Sequence, residues 1–259
     1  MFKNTIKNSL FASSFELAKS NPGKIGLVIL FDAMFLVSFA ALYRLSNFIG
    51  GNLFAPTKFS SLLIFIIFSI IYYLSILFLY SFFKYCILDF IKSLFGMGRF
   101  SFYRLSQFYL LNIIIILPTY IIFSLILDTI KIDYQPLIFL ILGVPLSLLL
   151  YLVINLSHSF FYNDDSIKKS INKSLAITFT KVKFYRETIL AMILAAIFLG
   201  ALFLASGYLI NLVAAKNYAL YLRIYPYFKQ SSIIVFDIVF YAVILINRIS
   251  FYKAVKYHK

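Results

Sequence analysis

The residues of this sequence that could do chemistry are a few polar side chains set inside long apolar stretches. The stretch "KIGLVILFDAMFLVSFAALY" carries Asp32 about eight residues from its start. Six such residues lie about five to eight residues from one edge of their stretches: Asp32, Asn112, Asn155, His158, Asn247 and Arg248. At ~1.5 Å per helical residue they share a depth of roughly 7–12 Å. We therefore predict one intramembrane polar layer.

Two kinds of chemistry fit this polar layer. Asn, His and Ser side chains hydrogen-bond helices together where water is absent, which is a structural role. Chains of Asp, His and Asn also line routes for ions or protons, which is a transport role. We favour the structural role because transporters commonly break helices at matched positions of two halves. Pro118 and the Gly143/Pro145 pair do not match in that inverted sense.

Charged residues of the first and last apolar stretches predict two ion pairs. Asp32 and Arg44 are 12 residues apart, and Asp237 and Arg248 are 11 residues apart. In two antiparallel helices these spacings, about 18 and 16.5 Å, bring opposite charges to equal depths. A charge inside a bilayer is costly unless it is paired. We therefore predict the pairs Asp32–Arg248 and Asp237–Arg44.

Catalytic and metal-binding patterns are absent from the sequence. It holds one cysteine, Cys86, and two histidines, His158 and His258, so neither a disulfide nor a zinc or haem signature is present. It also lacks a Gly-rich phosphate loop, a nucleophile elbow and an HExxH motif. The acidic pair Asp164 and Asp165 precedes a helix and is predicted to cap it. We assign no catalytic residue, metal or cofactor, and an enzyme acting on lipids is the least supported class.

Composition and apolar stretches define the fold class. The 259 residues are 63% hydrophobic and 13% charged, with a mean hydropathy of +0.94, which is far more apolar than a soluble domain. A helix needs about 20 apolar residues to cross ~30 Å of hydrocarbon. We predict an all-α polytopic membrane protein, with residues 1–259 as one integral membrane domain. The six predicted transmembrane helices are 25–44, 61–83, 107–127, 137–161, 188–213 and 232–252.

Orientation follows from the distribution of basic residues. Together with Arg248 near the inner end of the last span, the two termini and the loops after the second and fourth spans hold 18 of the 24 Lys and Arg residues. The positive-inside rule then places both termini in the cytoplasm and the protein in the cytoplasmic membrane. The net charge of +15 is explained by topology and anionic lipid, so a nucleic-acid partner is not expected. The longest outer loop, "AKNYALYLRIYPYFKQSS", places tyrosines at the outer interface.

Two amphipathic surface helices are predicted, at 2–19 and 166–185, and their sequences resemble each other after a shift of 165 residues. The second has an apolar stripe formed by Ile167, Ile171, Leu175, Phe179 and Val182. Its opposite, basic face carries Lys168, Lys169, Lys173 and Lys181. A poorer third copy at 89–108 suggests three units, each a surface helix followed by a hairpin. Such helices either set the depth of the hairpins or dock anionic lipid or a cytoplasmic partner.

The segment "DDSIKKSINKSLAITFTKVK", followed by "ETILAMILAAIFLGALFLASGYLINL", resembles the repeated unit of poorly characterised prokaryotic membrane proteins. These are similar to the membrane domain attached to some glycerophosphodiester phosphodiesterases and to YciC-like inner-membrane proteins. The resemblance is best over 164–213, is weaker over 2–45, and implies the same architecture. No phosphodiesterase domain accompanies it here, so it implies no catalytic residue. Richness in Ile, Phe, Lys and Asn also suggests an AT-rich prokaryotic genome.

The sequence therefore predicts a non-enzymatic membrane protein that organises lipids or partner proteins at the cytoplasmic face. The expected partners are membrane lipids, anionic ones above all, and a protein on the cytoplasmic side. The alternative is a small transporter or channel that uses the polar layer around Asp32. These functions differ in their consequence, because only a transporter predicts solute flux that falls when Asp32 becomes Asn.

Overall fold

The computed structural model describes residues 9–53, 59–96, 100–130, 134–163, 165–214 and 218–257. Every regular element in these ranges is a helix, which confirms the predicted all-α fold. The α-helices are α1 Leu10–Ser20, α2 Pro22–Leu53, α3 Phe59–Ser93, α4 Phe102–Asp128, α5 Gln135–Ile138, α6 Val144–Tyr162, α7 Ile167–Thr180, α8 Arg186–Ala214 and α9 Tyr218–Tyr257. Residues 2–8 of the first predicted surface helix lie outside the described ranges.

Six helical segments are long and apolar enough to cross a membrane, and each contains one predicted span to within one residue. They are Pro22–Gly50, Leu62–Ser93, Phe102–Asp128, Gln135–Tyr162, Arg186–Leu212 and Ala219–Tyr257. The shortest has 27 residues, or about 40 Å of helix, so each extends beyond the ~30 Å hydrocarbon core. Sequence reasoning counted only the apolar part of each helix, whereas backbone hydrogen bonding continues into the interfacial ends.

The fourth span changes its helical geometry near its start. A π-helical turn, Phe139–Gly143, joins α5 to α6. Pro145 lacks the amide N–H that would bond to the carbonyl of Ile141, so the regular helical register is interrupted there. The side chain of Phe139 packs 2.9 Å from the position that a Cβ would occupy on Gly143, which makes a larger residue at 143 unfavourable.

The prediction of an outer loop before the last span is wrong, because most of this segment is helical. Most of that segment lies within α9, a single helix of 40 residues that runs through Pro226. Tyr221 and Tyr225 stack on one face of this helix, with ring centroids 5.2 Å apart. Lys, Arg and Pro made the segment read as a loop, yet it continues the helix and extends α9 to about 60 Å.

The described residues fall into two compact units. The terminal unit lies within Met1–Ser20 and Phe179–Lys259, and the central unit lies within Asn21–Thr178. The terminal unit packs α1 against α8 and α9. The structure therefore groups α1 with α8 and α9, whereas the repeat pattern paired the first predicted surface helix with the hairpin that follows it.

Three side-chain contacts hold α1 within the terminal unit. Oε2 of Glu187, at the start of α8, accepts hydrogen bonds from Ser9 Oγ at 2.9 Å and from the amide of Leu10 at 2.7 Å. Nζ of Lys253, in α9, donates to Ser13 Oγ at 2.6 Å. Ser14 of α1 is completely buried. The first helix is thus docked by residues that lie more than 170 positions away in sequence.

The predicted third surface helix is not found in the described part of 89–108. The two flanking spans extend into that segment instead, because α3 continues to Ser93 and α4 begins at Phe102. Nζ of Lys24 donates to the carbonyl of Ser93 and so satisfies one free carbonyl at the end of α3. Residues 97–99 lie outside the described ranges.

Burial in the central unit is concentrated at one end of its helices. Large, almost completely buried side chains lie in the last third of α3, the first half of α4 and the last third of α6, among them Tyr85, Ile87, Ile91, Phe108, Leu111, Leu156 and Phe161. The opposite ends expose Leu, Ile and Phe side chains, as suits helices whose remaining surface faces lipid. The buried end is the part of the fold that positions the candidate site.

Candidate functional site

Polar side chains of α3, α4 and α6 meet inside the buried end of the central unit. We call this group the His158 cluster, and it consists of Ser81, Lys84, Asn112, Asn155 and His158. The side chains of Ser81, Asn112 and His158 are 0% exposed, and Lys84 and Asn155 are 7% exposed. Such burial of five polar groups within membrane-spanning helices is costly unless they bond to one another.

A directional chain of hydrogen bonds crosses the cluster from α3 to α6. Ser81 Oγ donates to the carbonyl of Leu77 at 2.6 Å, so it must accept the bond from Asn112 Nδ2 at 2.9 Å. The amide of Asn112 therefore turns its Oδ1 toward His158 Nε2, at 2.7 Å. Because Oδ1 can only accept, Nε2 is the protonated ring nitrogen of neutral His158.

The other ring nitrogen of His158 is left as a buried acceptor. Nδ1 has no hydrogen-bond partner among the residues that the structure describes. The imidazole lies against the ring of Phe108, with centroids 4.6 Å apart, and 6.3 Å from the ring of Tyr80. Nδ1 is thus a buried acceptor on an imidazole that has two aromatic rings among its neighbours.

Lys84 supplies the cationic group of the cluster. Its Nζ donates to Asn155 Oδ1 at 3.5 Å, and Asn155 Nδ2 donates to the carbonyl of Tyr151 at 2.7 Å. Asn155, the partner of Lys84, lies one turn before His158 on α6, and Lys84 itself lies one turn after Ser81, whose partner Asn112 bonds to His158. The cluster thus holds an amine and an imidazole, two groups that exchange protons readily in proteins.

Cation contacts at the end of α6 hold the three helices around the cluster. Arg104 Nη2 donates to the carbonyl of Phe161 at 2.7 Å, and its guanidinium lies 4.8 Å from the Phe161 ring. Lys92 Nζ donates to the carbonyl of Tyr162 at 3.3 Å, and the Tyr162 hydroxyl donates to Asp89 Oδ1 at 2.7 Å. Free carbonyls and the negative end of the helix dipole favour these cations at a helix C-terminus.

The structure brings together part of the predicted polar layer. Asn112 and His158 share a hydrogen bond, and Asn155 lies one turn before His158 on α6. Asn247 is buried in the terminal unit, where its Nδ2 donates to the carbonyl of Thr188 at 3.2 Å. Asp32 is half-buried in α2.

The two predicted ion pairs stay predictions. Asp32 and Arg44 belong to the central unit, whereas Arg248 and Asp237 belong to the terminal unit. Within their own units, Arg44 and Asp237 are exposed and Arg248 is half-buried.

Sequence reasoning missed two members of the cluster. It ended the second span at residue 83 and counted Lys84 among the basic residues of the following loop. In the structure, Lys84 lies inside α3 and faces the same way as Ser81, one turn earlier. The available signal was the apolar sequence that resumes after Lys84 with Cys86, Ile87 and Leu88.

The second predicted surface helix, 166–185, is shorter in the structure: α7 ends at Thr180, the backbone of Lys181 leaves the helical conformation, and a 3-10 turn follows at Val182–Phe184. The α7 helix has a buried face of small hydroxyl residues. Ser170, Ser174 and Thr178, spaced four residues apart, are at most 5% exposed. Ser174 Oγ lies 2.6 Å from Ser157 Oγ of α6. Small side chains let two helices approach closely. The predicted apolar stripe is more exposed than this face, with Leu175 at 38%, Phe179 at 66% and Val182 at 53%.

The four predicted lipid-facing lysines, three on α7 and Lys181 directly after it, fall into two groups. Lys173 Nζ lies 2.8 Å from Asp165 Oδ2, and Lys169 Nζ lies 3.4 Å from Asp165 Oδ1. Lys168 and Lys181 have exposed side chains. Burial alone would raise the pKa of Asp165, but the hydrogen bonds and charges of Lys173 and Lys169 outweigh it and lower that pKa. The predicted capping role of Asp165 stays a prediction, and Asp164 lies outside the described residues.

Within the described residues, no group of three or more His, Cys, Asp or Glu side chains could hold a metal ion. The six spans and the all-helical fold define a polytopic integral membrane protein. No protein-family model, curated protein or solved structure matches this chain.

Proposed function

We propose that this protein organises anionic lipids at the cytoplasmic face of the cell membrane, without catalysing a reaction. The observation that carries the proposal is the three-sided arrangement of α7. The small hydroxyl residues Ser170, Ser174 and Thr178 of α7 are buried, Leu175 and Phe179 of its apolar stripe are exposed, and Lys168 is exposed as well. Lys181, the residue directly after α7, is also exposed. A helix of this kind is suited to lie in the plane of the membrane interface.

Each side of α7 has a distinct physical task in this proposal. Ser174, bonded to Ser157, fixes the helix to a spanning helix and so sets its depth. Phe179 and Val182 enter the boundary between headgroups and acyl chains, where apolar area is removed from water. Lys168 and Lys181 attract lipid phosphates, at about 1 kcal/mol for each basic residue near an anionic surface.

The orientation that this function needs is part of the proposal. The basic residues of the termini and of the loops after the second and fourth spans support a cytoplasmic location for both termini. Anionic lipid of the inner leaflet is then the nearest partner of α7, and a cytoplasmic protein could dock on the same face. The resemblance to the phosphodiesterase-attached membrane domains, and with it a prokaryotic origin, also stays a proposal.

Lipid retention in nanodiscs tests this function. The double substitution Lys168→Gln/Lys181→Gln should weaken binding of phosphatidylglycerol roughly 30-fold, because two charges contribute about 2 kcal/mol. Native mass spectrometry counts the retained lipids at each phosphatidylglycerol fraction. The matched control is Arg223→Gln/Lys229→Gln, two exposed basic residues of α9 that change the net charge equally. Equal loss in both double variants, or no loss in either, contradicts the proposal.

The second candidate function is proton or ion transport through the inner-leaflet polar layer. The specific observation that favours it is the burial of Lys84 and His158 in one polar cluster, since ionisable residues inside membrane helices mark ion and proton paths. Flux measured in liposomes tests it directly. Transport predicts flux in the wild type that falls in Asp32→Asn and in His158→Gln, whereas a lipid organiser predicts no flux in any of the three.

A further inference from the structure

The His158 cluster supports an inference that deepens the second candidate function, proton or ion transport. Only the physiological use of the inferred site rests on that proposed function. We propose that Nδ1 of His158 is a proton-binding site inside the membrane-spanning bundle, and that Lys84 controls its occupancy through charge. The ligand is a proton delivered by hydronium. In the binding step, the lone pair of Nδ1 forms an N–H bond, and the hydronium O–H bond breaks to leave water.

The hydrogen-bond chain prepares Nδ1 for this role. Ser81 orients the amide of Asn112, and Asn112 Oδ1 holds the proton of His158 on Nε2. The neutral imidazole therefore always presents its basic lone pair at the same nitrogen. An alternative tautomer would place two acceptors, Oδ1 and bare Nε2, 2.7 Å apart, which is repulsive.

The charge of the imidazole can be influenced by the titratable side chains that lie near it. From α3 the titratable neighbours are Lys84 and Tyr80, and from α4 the neighbours are Asn112 and Phe108, which do not titrate. The acidic side chain Asp89 lies nearer the end of α3, where it accepts the hydroxyl of Tyr162. From α7, which contacts α6 at the Ser157–Ser174 bond, the charged side chains Lys169 and Lys173 pair with Asp165 beyond the end of α6. Lys84 is the charged member of the His158 cluster, bonded to Asn155 one turn before His158 on α6.

Charge repulsion links the two basic groups. Two cations in the same water-poor interior repel strongly, so an ammonium on Lys84 opposes a proton on Nδ1. Removal of the Lys84 charge should let Nδ1 take its proton at a higher pH. Because the two sites interact, their titration belongs to the pair and has to be measured on both the intact and the substituted chain.

Selective labelling of histidine gives a direct measurement, because the chain has only two histidines. His258→Ala leaves His158 as the single imidazole in a protein that keeps all the described residues. Nitrogen-15 NMR of this protein in liposomes should show a protonated Nε2 and an unprotonated Nδ1 at neutral pH. A protonated Nδ1 with a bare Nε2 at neutral pH overturns the inference.

The titration of Nδ1 then tests the role of Lys84. In the His258→Ala background, Lys84→Met should raise the pH at which Nδ1 protonates by about one unit or more, which is a tenfold change in proton affinity. The matched control Lys229→Met, an exposed lysine of α9, should leave that pH unchanged. If Nδ1 takes no proton above pH 4 in Lys84→Met, or if both variants shift equally, the inference is wrong.

A further substitution tests the site in a protein whose buried side chain keeps its size. Proton flux in liposomes then distinguishes failure of the inferred site from failure of the transport function. Asn112→Asp keeps the size of the side chain and should raise the proton affinity of Nδ1, because its carboxylate stabilises the imidazolium. An unchanged affinity in a folded Asn112→Asp protein counts against the site. If Nδ1 titrates as expected but liposomes show no proton flux, the binding site stands and the transport function fails.

Discussion

Glu187 Oε2 lies 2.7 Å from the amide nitrogen of Leu10, so a residue of the fifth span caps α1, the first helix of the described residues. The first amides of a helix have no partner within it, and a carboxylate there satisfies a donor and complements the positive end of the helix dipole. Ser9 Oγ donates to the same oxygen at 2.9 Å. Glu187 therefore links α1 to α8.

Substitution of this cap should release α1. Glu187→Ala removes the acceptor of Leu10 and should cost about 1 kcal/mol of docking free energy, which is roughly a fivefold rise in the undocked fraction. The exposed Lys19 then becomes a trypsin site in a loosened helix, and the cleavage rate reports the undocked fraction. The control is Glu16→Ala, which removes an exposed glutamate of α1 and should leave the rate unchanged.

The ion pairs of Asp165 predict a stability that depends on pH. Because the folded-state pKa of Asp165 is lowered, its contribution is complete well above the ordinary aspartate pKa of about 3.9. It is lost as the pH falls through the lower, folded-state pKa. The thermal midpoint of the wild type in detergent should therefore exceed that of Asp165→Asn at pH 7. This difference should shrink as the pH falls below about 3.9, and a constant difference across this range contradicts the assignment.

The buried hydroxyl face of α7 predicts a strong dependence on side-chain size. Ser174→Ala removes the bond to Ser157 and should cost about 1 kcal/mol of unfolding free energy. Ser174→Leu should cost more, about 1–3 kcal/mol beyond the lost hydrogen bond, because the larger side chain forces the helices apart. Asn172→Leu, at an exposed position of the same helix, is the control for added bulk. Equal thermal midpoints for the two leucine variants would argue against close packing at Ser174.

Sequence patterns were sufficient for the spans but not for the ends of the helices. Apolar stretches of about 20 residues identify hydrocarbon-crossing segments by transfer free energy alone. The start of α9 lies outside that criterion, because Arg223, Pro226 and Lys229 lower the hydropathy while the backbone stays helical. Helical periodicity also predicted α7. That prediction used the apolar stripe and did not identify the buried face of Ser170, Ser174 and Thr178, although their spacing of four residues is visible in the sequence.

The contacts of the site join residues that are far apart in sequence, so no local sequence pattern predicts them. Depth along a helix placed Asn112 and His158 in one layer, since residue counts measure depth directly. Lys84 read as the start of a loop because burial of a lysine requires partners from other helices. The Glu187–Leu10 bond joins positions 177 residues apart, and no local pattern predicts such a pair.

The central claim, that α7 lies in the interface among anionic headgroups, is tested most directly with a single tryptophan. The chain has no tryptophan, so Phe179→Trp introduces a unique fluorophore at an exposed position of the apolar stripe. Phe198→Trp, exposed on the spanning helix α8, is the matched control. In mixed liposomes, brominated phosphatidylglycerol should quench the fluorescence of Phe179→Trp more than brominated phosphatidylcholine does, whereas the two lipids should quench that of Phe198→Trp equally. Equal quenching of the Phe179→Trp protein by both lipids, or no quenching by either, would contradict the claim.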